Sequence, residues 1–535
     1  MKPSNITNLA SVLLIAAFMA ACSNTGSVPP LPPPVGMYSN ASLKGQYAFS
    51  MSGEIPSTFG GSPISRVGSF VADGNGNITS AIEDVQSLSS TSTLNPLNFA
   101  TGAYSILPDG RGTITLGSGS SSLVLDVVLT STTQGLVIQI NGAATSSGSF
   151  IKTTPGAFSA ASFNGNYVFD VSGVSAPSGF LPAPMSLMGR VTADGNSKIT
   201  AGVLDENDGN QSTVSGPINS GVTGTFQLDS QFGANFGRGL LTLKYTAYST
   251  AITRTFAFYI VDGTRIKWLE EDNLAITVGD AVKQSASVAA NNSAFTGSFV
   301  YLVTGAVGAS PLARVARFTA DGAGNLSQIA LDENLNGNHN SITATSAITG
   351  AHYEIDTANA GSGRGTFTFT DSQLGKFDAI FYLMSPAQAA VQDTSRNLIS
   401  DGTMLAQNPG PITSASLAGN YAFNWSGVIR ATQTFPEFEE DFLGQHILTG
   451  TGIVTGAIDY VELAFLGNPI NFDIPLAGSL TINGDGTASN SYQYLIRSSP
   501  TSTLRFAAYV VNPDTTFVVV TDSNRVTAGS ALMQH

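Results

Sequence analysis

Three arginines sit between glycines, as Gly110-Arg111-Gly112, Gly237-Arg238-Gly239 and Gly363-Arg364-Gly365. A guanidinium keeps its charge at any physiological pH and presents five donors in a fixed fork. One such group per repeat could therefore contact an acidic ligand or a glycan. The competing reading is a turn in which glycine permits the backbone and arginine covers a barrel end or pairs with a carboxylate. Asp84, Asp205, Asp332 and Asp459 recur at a matching place, with Glu206 and Glu333 beside two of them. An exposed pair of this kind contributes only about 0–1 kcal/mol.

Other chemistry is thinly represented. Glu270-Glu271-Asp272 and the set Glu437, Glu439, Glu440 and Asp441 are acidic clusters. Paired carboxylates hydrolyse glycosides when held at a defined separation, but neighbours in a strand point to opposite faces. The second cluster is interleaved with Phe435, Phe438 and Phe442 and belongs to the last repeat alone, so it reads as a solvated or contact loop. Asp73-Gly74-Asn75-Gly76-Asn77 places oxygens at alternate residues, as a calcium loop does. Its counterparts carry Lys198 and Ala323, so a hairpin turn is the preferred reading. Asp332-Glu333-Asn334-Leu335-Asn336-Gly337 matches half of an EF-hand loop, with Thr343 where the closing glutamate belongs. His339, His352, His446 and His535 are dispersed, and no nucleophile elbow, His/Cys metal cluster or phosphate-cradling loop occurs. No catalytic residue, cofactor or metal is expected.

The elements that must position these residues come in four copies. Gly-x-aromatic-x-aromatic opens at Gly45, Gly165, Gly297 and Gly419, with spacings of 120 (165−45), 132 (297−165) and 122 (419−297) residues. An Asp-Gly turn follows at Asp73, Asp194 and Asp321, and the fourth copy lacks it. The Gly-Arg-Gly signature reads Gly484-Asp485-Gly486 in the fourth copy. Copies two, three and four close on Gln284, Gln407 and Gln534. A unit of this length buries its own core and folds as a domain.

Within a unit, Tyr47, Phe49 and Met51 fall on one face and Gln46, Ala48 and Ser50 on the other, the period of a half-buried strand. Tyr421, Phe423 and Trp425 repeat the pattern. Candidate strands of copy one run over about 45–52, 64–72, 77–86, 99–107, 112–117, 122–130, 135–140 and 145–152, separated by turn residues. The fold class expected is all-β: four tandem antiparallel domains, each an eight-stranded up-and-down barrel. Immunoglobulin-like sandwiches are the alternative. The opening Gly-x-Tyr resembles the Gly-x-Trp start of lipocalin and avidin-type barrels.

Of 535 residues, 11% are charged and 42% hydrophobic, so real cores are within reach and a disordered chain is excluded. The net charge of −14 makes nucleic acid an unfavourable partner. Lys2 followed by the apolar run from Leu9 to Ala21 reads as a secretory leader, too short to span a membrane. It ends in Met19-Ala20-Ala21-Cys22, which resembles the lipobox of bacterial lipoproteins. The resemblance implies cleavage before Cys22, lipidation of that single cysteine and, with Ser23 following, sorting to the outer membrane. Pro29, Pro30, Pro32, Pro33 and Pro34 favour an extended stalk. The whole layout also resembles Gly-rich repeat lipoproteins of the bacterial envelope.

The expected organisation is a leader at 1–21, a lipidated stalk at 22–40, and β-domains at 41–153, 163–284, 295–407 and 417–535. The expected role is a membrane-anchored envelope protein that binds a glycan or a small apolar ligand without catalysis. A spacer with filled barrels is the second reading and a hydrolase sited in the fourth domain the third. Nothing in the sequence sets an oligomeric state.

Overall fold

Aromatic and β-branched side chains at alternate positions pair into ladders when polar turn residues punctuate them. The computed structural model of the chain shows this outcome. It describes residues 37–535 except 58–59, 89–94, 142–143, 155, 177–180, 212–213, 344–345, 431–436, 464–469 and 496–500. The leader 1–21, Cys22, residues 23–36 of the Pro-rich segment and Phe435 lie outside the described residues.

The first sheet holds Lys44–Ser57, Gly60–Asp73, Asn77–Ser87, Gly102–Ile106, Arg111–Leu116, Leu123–Ser131, Gln134–Gln139 and Thr145–Lys152, with Leu97–Phe99 added beside the third. Neighbours in sequence are neighbours in space. Lys44–Ser57 pairs with both Gly60–Asp73 and Thr145–Lys152. Asn77–Ser87 meets Gly102–Ile106 at Asn77↔Ala103 and Ile78↔Gly102, which closes the barrel. The second sheet repeats this arrangement and closes at Lys198↔Thr225 and Ile199↔Gly224. The fourth is a closed eight-stranded barrel from Gly419–Ile429 to Arg525–Met533. The third has the same order but is open between Leu326–Leu335 and Ile348–Ile355, where one bridge, Asn325↔His352, spans the gap. The fold is all-β and built of up-and-down barrels, not sandwiches. Among the described residues no helix is long and apolar enough to cross a membrane.

The recurring aspartates are turn caps. Asp73 accepts hydrogen bonds from the amides of Asn75 (2.6 Å) and Asn77 (3.1 Å), and Asn77 Nδ2 reaches its other oxygen at 2.7 Å. Asp321 is held in the same way by Ala323 and Asn325. These bonds hold both carboxyls down to about 2.

Inward side chains fill the barrels with rings. Tyr47 stacks on Phe70 with centroids 5.3 Å apart, Phe169 on Trp268 at 4.9 Å, Phe295 on Phe299 at 4.3 Å, and Trp425 on Tyr492 at 5.6 Å. The second glycine of Gly-Arg-Gly makes room for this packing. A Cβ on Gly239 would lie 2.2 Å from the Phe258 ring, and one on Gly365 would lie 2.4 Å from Phe381.

The half-buried reading of the opening strand fails on one point. The outward residues Ala48, Val168, Val300 and Ala422 are all fully buried. Each belongs to an apolar cluster shared by two barrels. Ala48 packs with Tyr259 and Val261 of barrel two. Val168 packs with Tyr382 and Ala390 of barrel three, and Val300 with Val511 and Val519 of barrel four. Ala422 of barrel four packs with Val128 and Ile138 of barrel one. Four junctions join four barrels, so the string closes on itself as a ring. The ends of the described chain meet at the closing seam. The amides of Met37 and Tyr38 donate to Pro108 O, and Tyr38 Oη donates to His535 O at 3.0 Å.

Candidate functional site

The arginines of Gly-Arg-Gly stand at the head of a barrel strand, and that end abuts the preceding barrel. Arg238 of barrel two donates through Nε and Nη2 to both oxygens of Asp84 in barrel one, each at 2.8 Å, and Tyr259 Oη donates to the same carboxylate at 2.7 Å. Arg364 of barrel three does the same to Asp205 in barrel two at 2.7 and 2.9 Å, with Tyr382 Oη at 2.6 Å. Arg238 and Asp84 are 0% and 1% exposed. Burial works against the Arg238 guanidinium, but the hydrogen bonds and charge of Asp84 outweigh it and raise its pKa. Arg111 turns to Asp109 at 2.8 Å and to Asp473 of barrel four, with Asp459 close by.

The closing glutamines complete each junction. Gln284 Nε2 donates to Ser362 O and Leu383 O, and Gln407 Nε2 to Asp485 O and Val510 O. Gln534 Nε2 donates to Asp109 O at 2.9 Å and Leu129 O at 2.8 Å, so the last residues of the chain lock onto the first barrel.

The junction of barrels three and four departs from the pattern. Arg238 pairs in the ladder with Tyr259, Arg364 with Tyr382, and Thr487 with Tyr509. The structural counterpart of the arginine is therefore Thr487, two residues beyond the Asp485 that the sequence pattern aligned. Asp485 instead caps its own turn through the Thr487 amide, as Asp109 caps Arg111. Asp332 keeps its tyrosine, with Tyr509 Oη at 2.8 Å, and its other oxygen meets His339 Nε2 at 2.8 Å. A groove of about 880 Å³ opens here between the two barrels. Its walls carry Ser341, Thr343, Ser479, Thr481, Ser489 and Ser491 besides Asp332 and Asp485.

The acidic clusters resolve into opposite faces. Glu440 points inward and is held by Arg525 at 2.9 Å and by Thr527. Glu270 is held by Arg254 and by Thr277 at 2.7 Å. Glu439 and Asp441 point outward and are buried against barrel one, where Glu439 accepts from Thr145 Oγ1 at 2.7 Å and its amide donates to Glu54. Burial and neighbouring carboxyls push Glu439 well up, and burial first pushes Glu54 and Asp441 to about 7. The EF-hand-like pair splits in the same way, for Glu333 binds Arg314 at 2.7 Å on the inner side. His446 is fully buried in barrel four, and burial lowers it to about 3. Among the described residues no three His, Cys, Asp or Glu side chains group as metal ligands do.

Sequence reasoning singled out Arg111, Arg238 and Arg364 as possible ligand contacts or, in the competing reading, as partners of the aspartate series, and the structure shows Arg238 and Arg364 paired with Asp84 and Asp205. Sequence reasoning missed the tyrosines 259, 382 and 509, whose spacings of 123 (382−259) and 127 (509−382) residues carry the repeat and were the available signal.

No protein-family model and no curated protein matches the chain. Among solved structures, the transferrin binding protein B of Haemophilus parasuis Hp5, a tryptophan-to-alanine mutant, is 9% identical over 95% of this chain and 99% of its own, with a TM-score of 0.20. The isotype 1 transferrin binding protein B from serogroup B Neisseria meningitidis is 10% identical over 74% of this chain and 82% of its own, again with a TM-score of 0.20. At these scores the likeness carries no argument about this chain.

Proposed function

We propose that this chain is a non-catalytic binding protein of the bacterial cell envelope that takes its ligand between barrels and not inside them. The observation that carries this reading is the contrast between barrels packed with stacked rings and a groove of about 880 Å³, edged with serine and threonine hydroxyls, at the third junction. A surface dense in hydroxyls suits a hydroxyl-rich ligand, since each sugar hydroxyl both donates and accepts. The arginines 111, 238 and 364 we assign to clamping the ring. The lipobox-like Met19-Ala20-Ala21-Cys22 supports a lipid anchor at Cys22 and an outer-membrane place. Residues 37 and 38, held at the seam, give that anchor a fixed point of attachment. The domain limits 41–153, 163–284, 295–407 and 417–535 belong to this reading, with 22–40 as the stalk.

The test is calorimetric titration of the chain from residue 22 onward with carbohydrate oligomers, beside the variant Ser489→Trp. Ser489 is exposed on the groove wall, so the indole fills space without disturbing a core. We expect saturable binding that the tryptophan abolishes at unchanged unfolding temperature. Binding that survives Ser489→Trp puts the ligand elsewhere. The filled barrels favour one second reading, a rigid spacer, for which no oligomer binds.

A further inference from the structure

The three forward junctions of the ring are built from one plan, and the third lacks a single part of it. At the first two, the guanidinium and the tyrosine of the later barrel converge on one aspartate carboxylate of the earlier barrel, with all contacts between 2.6 and 2.9 Å. At the third, Asp332 and Tyr509 stand in the same relation at 2.8 Å, but the strand offers Thr487 in place of arginine. Both the aspartate and Thr487 line the groove. The cavity thus lies where the two sister junctions hold a cation.

The charges around it point the same way. Asp332 and Asp485 face the groove, and the cation on its wall, Arg505, is bonded to Asp522 at 3.2 Å. Arg317 approaches Asp485 at 3.7 Å from barrel three. Among the described residues Asp332 is bonded by His339 and Tyr509, a histidine and a neutral hydroxyl, where Asp84 and Asp205 each have a guanidinium. A carboxylate left without a permanent cation favours a charged donor from outside, and such charge-assisted bonds are about twice as strong as neutral ones. The hydroxyls of Ser341, Ser489 and Ser491 line the same groove and suit a polyol.

Building on the groove reading above, we infer that this junction is an arginine clamp that has given up its arginine to become a binding site, and that it takes an amino sugar. The ammonium group occupies the guanidinium position on Asp332, and the ring hydroxyls bond the serine and threonine walls.

Three oligomers of equal length separate this claim from the groove reading: glucosamine, N-acetylglucosamine and glucose, titrated at pH 7, where an ordinary free amine, with a pKa of about 8, is mostly charged and an ordinary histidine, at about 6.5, is mostly neutral. The glucosamine oligomer is expected to bind at least about tenfold more tightly than the other two, worth about 1.4 kcal/mol. Asp332→Asn should remove that preference and keep the weaker common affinity. Thr487→Arg, which restores the clamp, should block all three oligomers without lowering the unfolding temperature. Equal binding of the three overturns the amino-sugar assignment and leaves the groove reading standing. Tight binding that persists in Thr487→Arg overturns both, and so does failure of every oligomer to bind.

Discussion

A guanidinium buried between two barrels is tolerable only while its carboxylate stays with it. Removing one partner of such a pair costs about 3–5 kcal/mol, whereas replacing all partners by apolar groups of similar volume is often neutral. Arg238→Ala should therefore lose about that much on urea unfolding. Arg238 also holds Asp229 through its other Nη at 2.5 Å, so the quadruple variant Arg238→Met, Asp84→Leu, Tyr259→Phe, Asp229→Asn should recover most of it. If the single and quadruple variants lose equally, the clamp is not the interaction that matters. These pairs were half legible. Both members recur in the sequence, but they join residues 154 and 159 apart, and nothing in the spacing says that the partner lies one barrel away. The small stabilisation expected of an exposed pair gives way to a buried pair, because barrel packing removes the water.

Buried carboxyls at the seam give the ring a pH dependence. Glu54 and Asp441 are raised to about 7, chiefly by burial. A group whose folded pKa lies above its unfolded value stabilises fully below the ordinary carboxylate range, about 4, and loses that contribution as pH rises through about 7. His446, lowered to about 3 by burial, acts in the other direction and only below the ordinary histidine value of about 6.5. Between pH 6.5 and 8.5 the carboxyls therefore dominate. The unfolding temperature should fall across that interval, and Asp441→Asn should flatten the fall. An unchanged slope in the variant would absolve this carboxyl.

Strands were the most legible elements, because alternation and Asp-Gly turns are local signals. Arg111–Leu116, Leu123–Ser131 and Gln134–Gln139 lie close to where the pattern of copy one puts them. Two features were not legible. The outward burial of Ala48, Val168, Val300 and Ala422 depends on a neighbour that alternation cannot see. The gap in barrel three lies between two strands whose pairing no local signal fixes, and among the described residues Asn325↔His352 is its one bridge. Backbone amides along Leu326–Leu335 and Ile348–Ile355 that face this gap should exchange with deuterium faster than those at the closed barrel-two seam, Lys198–Asp208 against Thr223–Leu228. Equal protection would mean that the third barrel is sealed in solution. The arginine signature shows a limit of another kind. Matching glycines aligned Gly484-Asp485-Gly486 with Gly-Arg-Gly, whereas the ladder aligns Thr487 opposite Tyr509.

At the scale of the whole molecule, tandem repeats suggested a string, and ring closure is absent from any local pattern. It arises because barrel four presents to barrel one the kind of surface that each barrel presents to the next, down to Gln534 on Asp109 O and Leu129 O. With Tyr38 Oη on His535 O, the ends are close enough to join. A circular permutant that links 535 to 37 and opens the chain between 285 and 290 should fold to the same scattering profile with nearly the native unfolding temperature. An expanded profile would show that the seam depends on free ends.

The ring also fixes how tension travels. A pull applied at the third junction reaches residue 38 by two routes. One passes through barrel four and across the seam, and the other runs back along the covalent chain through barrels three, two and one. If the seam gives way, the second route still holds, so opening one non-covalent joint lengthens the tether without releasing what it carries.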